Sequence, residues 1–388
     1  MTATDWSRRA ADAVAGFTST RSKGPDAMFG GPGGPTHMVR AEGCRIRTTD
    51  GRELIDWTMA LGAVALGYAH PAVVEAVERA ARDGAVGPLP PTLEVLVAER
   101  LAGVYPGAEQ ARFFKTGAEA VQAAVRVART ATRRERVVHC GYHGWLDGMT
   151  GGAGVPGAVA RLWQAVPFDD VAALGAALAG EPPAALVLEP VVERAPSPAW
   201  LEAARRLTSA REVVLVFDEI KTAFRLARGG AAERWGVRPD LAVLGKAIGN
   251  GFPLAAVVGR ADLMARLRDT WVSSTLATEF VSLAAADAVL DVWDKVDVSA
   301  HIERIGTLMT ERLEADRAAA RLRVCGLPAM FFLQFDDEAR ERRFLLAAAS
   351  RGVLIKRGAY NFPSLAHGDS EVTATLEAVR DALAEADA

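Results

Sequence analysis

Two short apolar runs, each closed by a charged side chain, constrain this chain more than any other feature. Residues 213–217 (VVLVF) form an unbroken run of the length of a strand covered on both faces, and Asp218 and Glu219 follow directly. A second run, residues 241–244 (LAVL), ends in Gly245-Lys246, with turn chemistry behind it in Gly249, Asn250, Gly251 and Pro253. Two such strands joined by a crossover lie parallel and place their carboxyl ends on one edge of a sheet. That edge is where open α/β sheets bind ligands. The pattern therefore predicts an α/β fold with an acid pair and a lysine on one rim.

A carboxylate and a lysine so placed suit an aldehyde cofactor with a basic ring nitrogen. Lys246 would form a Schiff base with the aldehyde, and Asp218 would keep the ring nitrogen protonated so that the ring stays an electron sink. The ordered block DEIKTAFR (residues 218–225), GV-x-PDL (236–241) and LGKAIGNGFP (244–253) resembles the class III, fold-type I pyridoxal-phosphate aminotransferases, and especially their glutamate-1-semialdehyde aminomutase branch. With the companion segments described below, the likeness spans nearly the whole chain. Each residue alone also has a plainer use: an acid pair after a strand caps a helix, and a single lysine is a solvated charge. Lysine is scarce here, six among 45 Lys and Arg residues, so it is not the default cation of this chain. Lys221, just past the acid pair, is the competing Schiff-base candidate and stands where the family usually has another residue. The resemblance also implies Ile220 as a cofactor contact.

Composition narrows the class without naming a function. The 388 residues suggest roughly two domains, and 50% apolar with 24% charged residues is ordinary for a soluble enzyme. A net charge of −3 gives no basic surplus for nucleic acid. Three separated cysteines, Cys44, Cys140 and Cys325, indicate neither a disulfide framework nor a zinc site, and no metal is expected. The opening residues mix acid and arginine with no apolar core, and no run approaches a membrane span. The expectation is a cytoplasmic protein that engages neither membrane nor nucleic acid.

The Gly/Pro-rich segment 24–35 lacks the strand, lysine and helix that a phosphate loop requires. Residues 40–57 read as a hairpin about Thr49-Asp50-Gly51, and His70-Pro71 opens a helix, with His70 expected to be buried and hydrogen-bonded. In FFKTGAEA (residues 113–120) a strand ends, a turn follows, and a helix begins with Val121, Val125 and Ala128 on one face and Gln122, Arg126 and Arg129 on the other. Free N–H groups at such a helix start bind anions, and plain capping is the competing use. The segment resembles the family's phosphate cup, normally Ser-Gly-Thr and here Thr116-Gly117-Ala118, with one hydroxyl missing. In HCGYHGW (139–145) the resemblance makes Tyr142 the aromatic that stacks on the pyridine ring and puts His143 in the same turn as a cofactor contact; an aromatic there otherwise just packs.

Glu189, closing the apolar run 186–188, matches the family's Glu-Pro near the cofactor or simply caps the strand. The glycine-rich connector 150–157 and the segment after Glu189 look shorter than the aminomutase pattern, which leaves a more open mouth. Thr275 takes by position the role of the family threonine that reaches the phosphate of the other subunit, which implies a homodimer; a helix N-cap is its competing role. For a substrate carboxylate, Arg21 is the nearest family match, with Arg225 and Arg357 as alternatives, each also readable as a surface ion-pair residue. The glutamate that precedes the final Ser-x-Ala-His turn in the aminomutases is replaced by Ala359.

The expected architecture is a large domain, about residues 60–285, with a mostly parallel seven-stranded sheet, and a smaller α+β domain from residues 1–59 and 286–388. The expected activity is a pyridoxal-phosphate aminotransferase acting on a small-molecule amino donor and a carbonyl acceptor. An aminomutase, a racemase or epimerase, and a decarboxylase share Lys246 and Asp218. A non-catalytic binding protein on the same fold is the alternative of another class. No strand-linked G-x-G-x-x-G supports a nicotinamide enzyme.

Overall fold

The computed structural model describes residues 3–316 and 322–387. Its backbone gathers into two units: one runs up to His70 and resumes at Ala300, and the other is Pro71–Ser299.

The larger unit is built on seven strands in the order Gln110–Phe114, Ala255–Gly259, Leu241–Leu244, Val214–Asp218, Ala185–Leu188, Val137–Cys140, Trp163–Ala165. Only Ala255–Gly259 runs against its neighbours. The central strands are buried at every position, as apolar runs covered on both faces must be. Helix Gly117–Thr132 covers one face with Val121, Val125 and Ala128 inward, as its 3.6-residue spacing predicts, and Arg126 outward.

Register decides what the sheet presents. Cys140 pairs with Leu188, Leu188 with Phe217, and Asp218 with Val243. On the antiparallel side, Phe114 pairs with Ala255 and Leu244 with Ala256. The residues just past Phe114, Cys140, Leu188, Phe217 and Leu244 therefore emerge at one edge.

The smaller unit has a four-stranded sheet, Met38–Glu42, Arg45–Thr48, Glu53–Asp56 and Val353–Leu354, and a hairpin of Leu322–Leu327 with Met330–Phe335. The turn at Thr49-Asp50-Gly51 joins antiparallel strands as its chemistry predicts. Ile305, Met309 and Leu313 pack with Phe331, Phe344, Val379 and Leu383 around Trp57, whose Nε1–H donates to Thr375 Oγ1 at 2.9 Å.

The units divide later in sequence than residues 60 and 285. Tyr68 bridges Gly43 and donates through its hydroxyl to Asp56 at 2.7 Å, tying the chain up to His70 to the small sheet. Helix Phe280–Lys295 is held in the large unit by Phe280 N–H to Ala85 O at 2.8 Å and by Arg100 to Asp287 at 2.5 Å. His70 is only half-buried and its Nδ1 has no partner among the described residues, so the expected hydrogen bond is not made.

Candidate active site

At the carboxyl edge of the large sheet, five strand ends deliver Thr116-Gly117-Ala118, Tyr142-His143, Glu189, Asp218 to Lys221, and Lys246. Asp218 is the last residue of its strand and is buried with His143, whose Nδ1 donates to its Oδ2 at 2.8 Å. Asp218 Oδ1 accepts the Ile220 N–H at 3.2 Å. No helix starts at the acid pair, so the local-cap reading of these two residues is overturned. Glu219 instead reaches across the chain: it accepts N–H groups from Ala231 and Ala232, each at 2.8 Å, the Tyr105 hydroxyl at 3.2 Å and the Thr222 hydroxyl. It thus anchors the start of helix Gly230–Trp235, and burial pushes its carboxyl up to about 7 against the pull of those donors.

Lys246 directly follows the extended Gly245 after strand Leu241–Leu244 and has φ +48°. Burial, then the neighbouring Lys221 charge, lowers its amine to about 8, while Glu189 and Asp218 act in the opposite direction. Those influences place all four groups in one electrostatic cluster. Lys221 Nζ contacts Glu189 Oε1 at 2.9 Å, and Glu189 Oε2 accepts the Tyr142 backbone N–H at 2.9 Å. Glu189 thus joins two loops and is no simple strand cap. The Tyr142 side chain is 66% exposed in the single chain.

Thr116 caps helix Gly117–Thr132 in a reciprocal box with Glu119: its hydroxyl accepts the Glu119 N–H, and its own N–H donates to the Glu119 carboxylate. The N–H groups of Gly117 and Ala118 keep no acceptor among the described residues and stand at the positive end of the helix dipole. A Cβ on Gly117 would stand 2.5 Å from Ile220 Cδ1. Ile220 is also in contact range of Gly245, 3.3 Å from the position a Cβ would take. Together, a buried acid with a histidine behind it, two open N–H groups at a helix start and an amine of lowered pKa suit a ring with a basic nitrogen, an anionic arm and an aldehyde.

Of the remaining candidates Arg225 joins this cluster, its charge being a further influence that lowers the Lys246 amine. Thr275 is exposed and caps nothing; helix Phe280–Lys295 is capped by Glu279, which accepts from Val281 and Ser282 and pairs with Lys115 at 2.6 Å. Arg225 is 1% exposed and its guanidinium is lowered to about 9 by burial, which rules out a surface ion pair. Arg21 and Arg357 belong to the smaller unit, where both line a cleft of about 610 Å³ and Arg357 pairs with Glu341 at 3.2 Å. The His143–Asp218 contact, the reach of Glu219 and the Lys115–Glu279 pair were not read from sequence. Their only sequence signal is position at strand ends, which becomes contact once strand order is known.

Residues 32–383 match the family described as aminotransferase class-III. A glutamate-1-semialdehyde 2,1-aminomutase from Sorangium cellulosum (strain So ce56) is 36% identical over 394 residues, covering 91% of this chain and 90% of that one. Among solved structures, the PLP internal aldimine form of the Sphingopyxis sp. MTA144 FumI protein aligns with a TM-score of 0.93 at 25% identity, over 98% of this chain and 95% of that one. An omega-transaminase from Sphaerobacter thermophilus aligns with a TM-score of 0.90 at 26% identity, over 100% and 98%.

Proposed function

This chain belongs to the class III aminotransferases and is a pyridoxal-phosphate-dependent enzyme of fold type I, and from that premise we propose that it transfers an amino group between a small-molecule amino donor and a carbonyl acceptor. The observation that carries the proposal is the lowered amine of Lys246 in one cluster with Asp218 at the sheet edge. Pyridoxal phosphate, when bound, supplies an aldehyde that captures amines and a protonated ring that draws electrons from the substrate Cα.

Lys246 would hold the cofactor through its amine, and the same amine would take the proton from the substrate Cα and return one when the acceptor is aminated. An amine lowered to about 8 is neutral in about a tenth of molecules at pH 7, far more than a solvated lysine offers. Asp218 holds the proton on the ring nitrogen, and His143 keeps that carboxylate oriented by donating to its other side. The open N–H groups of Gly117 and Ala118 receive the phosphate, with Thr116 fixing the helix start. Tyr142 would stack on the ring, and Ile220 would be a further contact of the cofactor. Thr275 completes the phosphate site of the partner subunit in a homodimer, in keeping with the exposure of Leu276 beside it and of Trp145 and Trp271.

The aminomutase remains the second reading because of the 36% identity to a protein of that name; Ala359, in place of the expected glutamate, speaks against it. A donor and acceptor screen separates the two. Transfer requires one equivalent of keto acid from the donor per acceptor aminated, whereas an isomerised product without keto acid overturns it. The shorter covering segments and Ala359 favour an acceptor bulkier than a small semialdehyde; strong preference for small ω-amino acids in the same screen would refute that. Borohydride reduction followed by peptide mapping is expected to label Lys246, and a label on Lys221 instead refutes the assignment.

A further inference from the structure

Lys221 has no part in the steps above, yet it stands among the groups that take part. The carboxylate of Glu189 is divided between two loops. Oε1 takes Lys221 Nζ and Oε2 takes the Tyr142 N–H, both at 2.9 Å. The lysine and glutamate side chains are only 10% and 12% exposed. The approach is close by construction: Gly141 has φ +101°, and a Cβ there would stand 2.5 Å from Glu189 Oε2 and 2.7 Å from its Cβ. No other residue type allows that backbone to lie against that carboxylate.

A carboxylate so covered is costly to leave without its cation, and a covered pair is fixed in geometry in a way an exposed one is not. Tyr142 and His143 share the turn that Glu189 holds, and His143 is the donor to Asp218. Strand Ala185–Leu188 lies between the strand that leads into this turn and the strand that ends in Asp218. The loop bearing Lys221 and the loop bearing Tyr142 are thus cross-linked over the end of that middle strand.

We propose that Lys221 is a positioning residue: through Glu189 it fixes the turn that presents Tyr142 and His143 to the cofactor site. The assignment of the turn to a cofactor rests on the proposed function, whereas the clamp is a property of the chain itself. The charge of Lys221 is also the second influence, after burial, that lowers the Lys246 amine. A neutral residue at 221 is therefore expected to act on that amine as well as on the turn.

The test is hydrogen exchange of the full-length protein, purified with its cofactor and again after the cofactor is removed. Lys221→Met is expected to speed exchange at the Tyr142 amide about fivefold in both preparations, the order expected when a charge-assisted hydrogen bond is weakened. Lys221→Arg, which keeps the charge, should restore most of the protection. In the loaded enzyme the visible absorbance of bound pyridoxal phosphate should change at a higher pH in Lys221→Met than in the wild type or Lys221→Arg, because a neighbouring cation no longer disfavours protonation. An unchanged Tyr142 exchange rate in Lys221→Met overturns the proposal. Should that variant exchange faster throughout the sheet, Glu189→Gln is read in its place: faster exchange confined to the turn supports the clamp, and an unchanged rate overturns it. Failure of the functional reading shows separately, as absence of a borohydride label on Lys246, while exchange in the cofactor-free protein still reports on the clamp.

Discussion

Gly117→Ala separates the stability of the large unit from its capacity for the cofactor. Gly117 is the first residue of a 16-residue helix and its φ is not positive, so the backbone accepts alanine. Alanine favours a helix over glycine by up to about 1 kcal/mol. Opposing this, the new methyl would lie 2.5 Å from Ile220 Cδ1 and 3.3 Å from Cγ1. Ile220 has little retreat, since it already packs toward Gly245. Overfilling a packed contact of this kind costs about 1–3 kcal/mol. The net change in stability is therefore small, between about zero and 2 kcal/mol of loss. Cofactor affinity should suffer more, because the methyl and the displaced Ile220 both intrude beside the two open N–H groups.

Absorbance titration with pyridoxal phosphate is expected to show affinity reduced at least about tenfold, alongside a thermal midpoint lowered by only a few degrees. Ile220→Ala in the same chain removes the colliding atoms, so the double variant should bind about as well as Ile220→Ala alone, a coupling that two independent sites would not show. Unchanged affinity in Gly117→Ala, or a double variant that binds at least about tenfold more weakly than Ile220→Ala alone, refutes the placement of the phosphate at this helix start.

Two further substitutions test the neighbours of Asp218. Glu219→Gln places an amide NH2 against Ala231 or Ala232 N–H, which cannot turn away, and should cost about 1–3 kcal/mol in urea unfolding while cofactor binding persists. Because burial raises the Glu219 carboxyl to about 7, its contribution is full below its ordinary value of 4.5 and is lost as pH rises through 7; wild-type stability should decline across that window, and the Gln variant should lack this component. His143→Ala removes the donor to a buried carboxylate and is expected to lower kcat about ten- to a hundredfold, measured at saturating donor; full retention of kcat would place the ring nitrogen elsewhere.

The central strands were legible because each announces itself locally, whereas Trp163–Ala165 and Ala255–Gly259 were not read from sequence. Residues 213–217 and 241–244 are apolar at every position, so both their burial and the place where they stop can be read without knowing any partner. The acid and the lysine follow those stops. The hairpin at Thr49-Asp50-Gly51 and the inward face of helix Gly117–Thr132 were legible for the same reason, one from turn chemistry and the other from period. By contrast, Met59, Ala60 and Leu61 adopt φ of 41°, 51° and 60°, a left-handed turn that no glycine or asparagine among them signals. Tertiary packing sets that conformation, and its sequence reads as ordinary apolar chain. The competing role of Thr275 as a helix cap is not taken up, because helix Phe280–Lys295 begins later and takes its cap from Glu279, a residue that Lys115 also holds.

What the sequence withheld in the site is of a different kind, for it concerns pairs. A strand end fixes one residue on the rim; which residue faces it depends on strand order and register, and a slip of one residue turns every side chain to the other face. Once Cys140 is set against Leu188 and Leu188 against Phe217, Gly141, Glu189 and Asp218 follow in step on three adjacent strands. A glycine at the first position then lets the acid at the second take the N–H of Tyr142. The acid at the third meets the histidine one residue further along the same turn. The position after Ile220 is left facing a carboxylate that has no other cation within bonding distance among the described residues, and a lysine there is the residue such a carboxylate selects. Lys221, an oddity when read along the chain, is thus accounted for by the strand between its own and that of Tyr142.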